Sequence, residues 1–231
     1  MANVMITGAN KGLGHETSRR LLAAGHTVWM TARDQERGRR AATELGALFA
    51  VLDVTDDASV ANAASAVAAE WGRLDVLINN AGIADDQLPP QEVTAAKVRE
   101  VYETNVFGVV RVIHGFLPLL TAAENPAIIN VGSESGSFAS VANPDDPRFK
   151  SNGLVYGSSK AALSMLTLQY AKALPHVQVN IVAPGYTRTD FNGNSGPQTV
   201  TEGTDALVRL VELGGDAGTG GFYGRHGRVA W

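Results

Sequence analysis

Strands alternating with helices along 231 residues predict an α/β fold, a doubly wound parallel sheet of about seven strands within a single domain, 1–231. Three observations carry that expectation. Short apolar, often β-branched runs recur at 4–6, 27–32, 48–54, 74–78, 127–131 and 177–182. Stretches with helical spacing separate them, and the run at 74–78 is continuously apolar, as in a parallel strand buried on both faces. No internal repeat or second compositional block interrupts the series.

Composition narrows the chemistry. With 45% hydrophobic residues the chain can bury a sizeable core. A net charge of −4 gives no general attraction for nucleic acid or an anionic membrane. There is no cysteine, which excludes disulfides and thiolate chemistry, and the five histidines show no metal-ligand spacing, so no metal is expected. No apolar stretch approaches the ~18 residues of a membrane span, and no basic, apolar leader opens the chain. A cytoplasmic location is expected.

The strand at 4–6 runs straight into Thr7-Gly8-Ala9-Asn10-Lys11-Gly12-Leu13-Gly14, and helical spacing then continues through Leu21, Leu22 and Ala24 to a stop at Gly25. Strand, glycine-rich turn and helix make a pyrophosphate site. N–H groups at the helix start point at the anion, and the missing side chains let it approach. A dinucleotide-binding (Rossmann) fold follows. The spacing is TGxxxGxG rather than GxGxxG, and in this it resembles the opening of the short-chain dehydrogenase/reductases, in particular their carbonyl-reductase-like members.

The second strand, 27–32, ends at Arg33, where an NAD-specific site would carry an acidic residue. Arg33, Lys11 and Arg37 could grip a ribose 2′-phosphate, which favours NADP(H), with NAD(H) as the alternative because Asp34 follows at once. The third strand, 48–54, ends in Asp53-Val54. The resemblance sets Asp53 against the adenine, whereas local spacing allows Asp53 or Thr55 to cap the alanine-rich helix 56–71.

Asn79-Asn80-Ala81-Gly82 follows the strand at 74–78, and its small residues allow a ligand close to the strand end. A long helix is expected over 95–120 with Thr94 as its cap. Asn105 lies inside it, either bonded to neighbouring backbone or, as the resemblance implies, holding a water in a proton relay. The fifth strand leads into Gly132-Ser133-Glu134-Ser135-Gly136, where the resemblance makes Ser133 the catalytic serine and Ser135 the alternative. A polar insert at 143–152 reads as a surface loop. In the similar carbonyl-reductase-like members such an insert can cover the dimerisation face, which leaves homodimer, homotetramer and monomer open.

Tyr156 and Lys160, four apart on the helix 154–174, share one face. Alone the pair describes any amphipathic helix. With the other motifs it describes a phenol whose pKa is drawn towards neutrality by an adjacent ammonium. Pro184-Gly185-Tyr186-Thr187-Arg188-Thr189 resembles the family segment that meets the nicotinamide and opens a substrate loop at about 186–202. Tyr186, Phe191, Phe138 and Glu134 are expected at the pocket.

The resemblance therefore implies an NADPH-dependent oxidoreductase working between a carbonyl and a secondary alcohol on a small-molecule substrate. Asn105, Ser133, Tyr156 and Lys160 would be its catalytic set. Cofactor contacts would come from Gly8, Asn10, Lys11, Gly12, Leu13, Gly14, Arg33, Asp53, Val54, Asn80, Ala81, Gly82, Tyr156, Lys160, Pro184, Gly185, Thr187 and Thr189. An NAD-dependent alcohol dehydrogenase and a non-catalytic cofactor-binding regulator are the rival readings.

Overall fold

The computed structural model describes residues 1–85 and 88–231. Its centre is one eight-stranded sheet in the order β3-β2-β1-β4-β5-β6-β7-β8. The strands are β1 (Asn3–Ile6), β2 (Thr27–Ala32), β3 (Leu48–Val51), β4 (Val76–Asn79), β5 (Ala127–Val131), β6 (Gln178–Val182), β7 (Phe222–Gly224) and β8 (Gly227–Arg228). The first seven run parallel and correspond to the expected seven. The two-residue β8 folds back antiparallel on β7. Strand order reverses at β1 and β4, so a crevice opens at their carboxyl ends, where sheets of this kind bind ligands.

Period-two alternation explains why the sheet is covered on both sides. Met5, Leu77, Ile128 and Val179 face one core, built with α3 (Asp57–Trp71), α5 (Gly108–Thr121) and α7 (Leu154–Ala173). Val4, Ile6, Val76, Ile78 and Ile129 face the other, built with α1 (Gly12–Ala23), α2 (Gln35–Leu45) and α9 (Asp205–Leu213). Phe116 of α5 is fully buried in the first core, and truncating such a ring typically costs about 3–5 kcal/mol.

Helix ends mostly obey local chemistry. Asp34 caps α2 by accepting from Arg37 N–H, and Gly46 closes that helix at a left-handed φ of 71°. Thr94 caps α4 (Ala95–Tyr102) as expected. Neither Asp53 nor Thr55 caps α3. Asp56 does so, accepting from the N–H groups of Ala58 and Ser59, while Asp53 accepts from Thr55 N–H and Oγ1 one turn earlier.

The long helix at 95–120 differs from expectation in its middle. Between α4 and α5, Glu103–Phe107 form a single turn of π-helix, in which Gly108 N–H reaches back five residues to the Glu103 carbonyl. The whole stretch, Ala95–Thr121, spans 27 residues and by length and apolarity alone could cross a membrane, which the sequence reading did not anticipate. Here it lies against the sheet, with Val109, Val112, Ile113, Phe116, Leu119 and Leu120 in the core.

Candidate active site

The glycine turn between β1 and α1 is shaped by its neighbours. Gly8 and Gly12 take left-handed φ values of 61° and 56°. A Cβ on Gly8 would stand 3.0 Å from Ala81 Cα, and one on Gly14 would stand 2.6 Å from Asn80 Nδ2. Asn80 fixes this approach by donating its amide to the carbonyls of Thr7 (2.9 Å) and Gly8 (3.1 Å). The N–H groups of Asn80 and Ala81 donate to Thr7 Oγ1, both at 3.0 Å. Thr7 is thus the pin between β1 and β4, a role the sequence reading missed.

The cradle fits an anionic group. Lys11 at the N-cap of α1 supplies no side-chain acceptor, and no acidic residue occupies the first turn, so the helix presents its N–H groups uncompensated. Asn10 and Leu13 lie partly exposed along the turn. Thr189 faces it from across the site, within 3.7 Å of where a Gly12 Cβ would be.

The adenosine end is more open. Arg33 is exposed just beyond β2, and Lys11 is exposed and pairs with Asp190 at 3.4 Å. Arg37 pairs with Asp34 at 3.3 Å, so Asp34 is engaged both as cap and as counter-ion. Burial works against the Asp53 charge. Its two Thr55 bonds, together with Arg33 and Arg111, still hold the carboxyl below the ordinary carboxylate range. Val54 is buried, and a Cβ on Gly108 would press on it at 2.8 Å.

The expected catalytic residues converge at the carboxyl ends of β4 and β5. Ser133 follows β5, and its Oγ accepts from Ser135 N–H at 3.1 Å. It lies close enough to the Tyr156 phenol to favour ionisation of that group. Gly132, at the position where the resemblance has a first serine, packs closely on β6. A Cβ there would lie 2.6 Å from Ile181. Gly136 lets the turn lie flat on α7, since its Cβ would fall 2.4 Å from the Lys160 carbonyl carbon.

Asn105 sits in the π turn and is buried. Its oxygen accepts from Ile83 N–H at 2.9 Å, and its Nδ2 donates to the Ile83 carbonyl (2.9 Å) and to Ser159 Oγ (3.1 Å). Ser159 in turn donates to the Tyr156 carbonyl at 2.7 Å. Both ends of the side-chain amide thus have partners among neighbouring groups.

Lys160 departs from expectation. Its Nζ donates to the Val131 carbonyl at 2.8 Å and lies 5.7 Å from the centre of the Tyr156 ring. Burial dominates both groups. It pushes Tyr156 up to about 12, with Ser133 pulling the other way and the Asp85 charge adding to the rise. It pulls Lys160 down to about 8. In this arrangement the amine does not draw the phenol towards neutrality.

Pro184 and Gly185 follow β6. Thr187, expected to reach the cofactor, is buried with its hydroxyl engaged by the carbonyls of Pro184 and Gly185 (3.3 Å each). Gln198 Nε2 donates to the Pro184 carbonyl at 2.6 Å and closes the base of the loop. Phe191 leans on Tyr156, and Tyr186 bonds Ser195 across the loop at 2.6 Å. Glu134 is held by Arg148 of the insert, which also pairs with Asp146 at 2.9 Å. Phe138, 73% exposed, borders a cavity of about 380 Å³ with Val141, Arg148 and Leu154. Among the described residues no cluster suited to a metal occurs.

The family model described as "short chain dehydrogenase" matches residues 2–199. A salutaridine reductase of Papaver bracteatum is 30% identical over 96% of this chain and 94% of its own length. That alignment runs to 292 positions, longer than this chain, so the relative carries insertions that are missing here. A short-chain dehydrogenase of Penicillium roqueforti is 36% identical over 91% of this chain and 88% of its own. Among solved structures, an NADPH-bound carbonyl reductase from chicken fatty liver superposes with a TM-score of 0.88 at 30% identity, covering 100% of this chain and 99% of that one. The chain belongs to the short-chain dehydrogenases, oxidoreductases that bind a nicotinamide cofactor and act between C=O and CH–OH groups.

Proposed function

We propose that this protein is an NADPH-dependent carbonyl reductase in which Tyr156 delivers the proton to the substrate oxygen. The observation that carries this reading is the meeting of Tyr156, Ser133 and Lys160 beside the glycine cradle, with Phe191 closing over the phenol. When bound, the nicotinamide supplies the hydride. Ser133 donates to the substrate oxygen as charge grows on it. A phenol held up at about 12 carries its proton at neutral pH, as a donor must. Lys160, held by the Val131 carbonyl beside the phenol, is suited to hold the nicotinamide ribose hydroxyls. With both ends of the Asn105 amide engaged, any relay water falls to the backbone of the π turn.

NADP(H) is favoured over NAD(H) because Arg33 and Lys11 flank the adenosine end while Asp34 is engaged at α2. The chicken carbonyl reductase, which binds NADPH, supports the same choice. Cofactor contacts are assigned to Gly8, Asn10, Lys11, Gly12, Leu13, Gly14, Asp53, Val54, Asn80, Ala81, Gly82, Pro184, Gly185 and Thr189, with Thr187 contributing backbone only. One domain carries the activity, with residues 186–202 as the substrate loop. Its setting on this reading is the cytoplasm, and its assembly depends on how far the 143–152 insert covers α7.

NADPH oxidation measured against a panel of ketones, aldehydes and quinones, and repeated with NADH, tests the proposal. Turnover with at least one class and a preference for NADPH of about tenfold or more is expected. Absence of turnover together with absence of NADPH binding would overturn it.

A further inference from the structure

Helix α7 starts without a cap of its own. Gly153 stands at the N-cap, and no acidic residue lies in the first turn. The first N–H groups of a helix require acceptors from elsewhere. That of Tyr156 finds one 71 residues earlier in the chain, where Asp85 Oδ2 accepts it at 3.0 Å. Asp85 follows the segment that clasps Asn105 through Ile83, and Gly82 of that segment lies beside Lys160 Nζ. The connection leaving β4 therefore touches the π turn, the lysine and the start of the helix that bears the phenol.

We propose that Asp85 is a positioning residue for Tyr156: a cap, delivered from the β4–α4 connection, that fixes where the helix begins and sets a carboxylate against the backbone of the proton donor. The proposal rests on the reading of Tyr156 as proton donor. Other charged groups lie around this site. Lys160 approaches from α7 itself, while Glu134 of the Ser133 turn and Asp190, next to Phe191, lie on adjoining segments. Glu134 is paired with Arg148, and Asp190 with Lys11. Asp85 is the carboxylate bonded directly to the helix backbone at Tyr156, and its charge raises the phenol's pKa.

Two substitutions separate cap from charge. In Asp85→Asn the amide oxygen still accepts from Tyr156 N–H while the charge is gone. In Asp85→Ala both are lost. Benzaldehyde reduction by NADPH is followed against pH in the full-length protein. Phenolate ionisation is followed by near-ultraviolet absorbance, with Tyr156→Phe as the subtraction. In both Asp85 variants the alkaline fall in kcat and the Tyr156 titration should move to lower pH, by a few tenths of a unit to about one unit. Only Asp85→Ala should also lose about 2–4 °C in Tm, the effect expected of a missing cap. Wild-type pH profiles and titrations in both variants would overturn the proposal. Turnover surviving in Tyr156→Phe would instead overturn the donor assignment, and the absorbance titration would still decide the effect of Asp85.

Discussion

The ring of Phe191 rests against that of Tyr156, with centroids 5.8 Å apart and planes inclined at 58°. One ring comes from the loop after β6 and the other from α7, so the loop bears directly on the phenol. Phe191 is itself 46% exposed and contributes little to the core. Phe191→Ala should therefore lower kcat/KM by about tenfold, the scale of one lost aromatic contact at the reacting group, with Tm nearly unchanged. Phe191→Tyr should restore most of the activity. Steady-state kinetics paired with thermal unfolding check both.

Tyr156→Phe removes only the phenol hydroxyl, the group proposed to deliver the proton. Turnover should fall by about 10³-fold or more, while NADPH binding, followed by cofactor fluorescence, stays within about threefold. A variant that keeps full activity would place the proton donor elsewhere.

Arg33 has open solvent around it at the end of β2. Arg33→Ala should raise the KM for NADPH about 10- to 100-fold, the value of a lost guanidinium–phosphate contact, and leave that for NADH within about threefold. Equal losses with both cofactors would remove the basis for the NADPH preference. Lys11 must leave Asp190 to join Arg33 on a phosphate, so Asp190→Asn is expected to tighten NADPH slightly.

Lys160 carries a stability cost for function. Its fall from 10.5 to about 8 corresponds to on the order of 3 kcal/mol against folding below pH 8, offset in part by the bond to the Val131 carbonyl. The sign follows from proton counts. Between about 8 and 10.5 the unfolded chain binds the proton that the native state has released, so stability rises with pH and the penalty disappears. Lys160→Met should thus be inactive yet unfold at a Tm no lower than wild type at pH 7, with its relative advantage shrinking towards pH 10. A large loss of Tm at pH 7 would mean that the ammonium has further support.

Much of this arrangement was legible in the sequence. Apolar runs and their period placed the first six parallel strands, because burial between two helical layers leaves no other pattern for them. The glycine turn, the Asn80 segment and the Tyr156–Lys160 spacing found their places because each depends on local geometry. What escaped depends on partners distant in sequence. Spacing set Lys160 on the right face, but it could not say that the amine would turn to Val131 rather than to the phenol. Thr187 looked equivalent to Thr189 until the bridge to Gln198 turned its hydroxyl inward. The role of Asp85 was invisible because its partner lies 71 residues away.

The five residues Glu103–Phe107 hold one amino acid more than a regular helix of the same height would use. That surplus is what swings Asn105 towards Ile83 and Ser159. Excising a single codon from this turn would let the backbone relax into unbroken α-helical register, giving a straighter rod that no longer reaches the residues around Tyr156. The flaw in the helix is thus the joint through which one layer of the fold grips the chemistry of another.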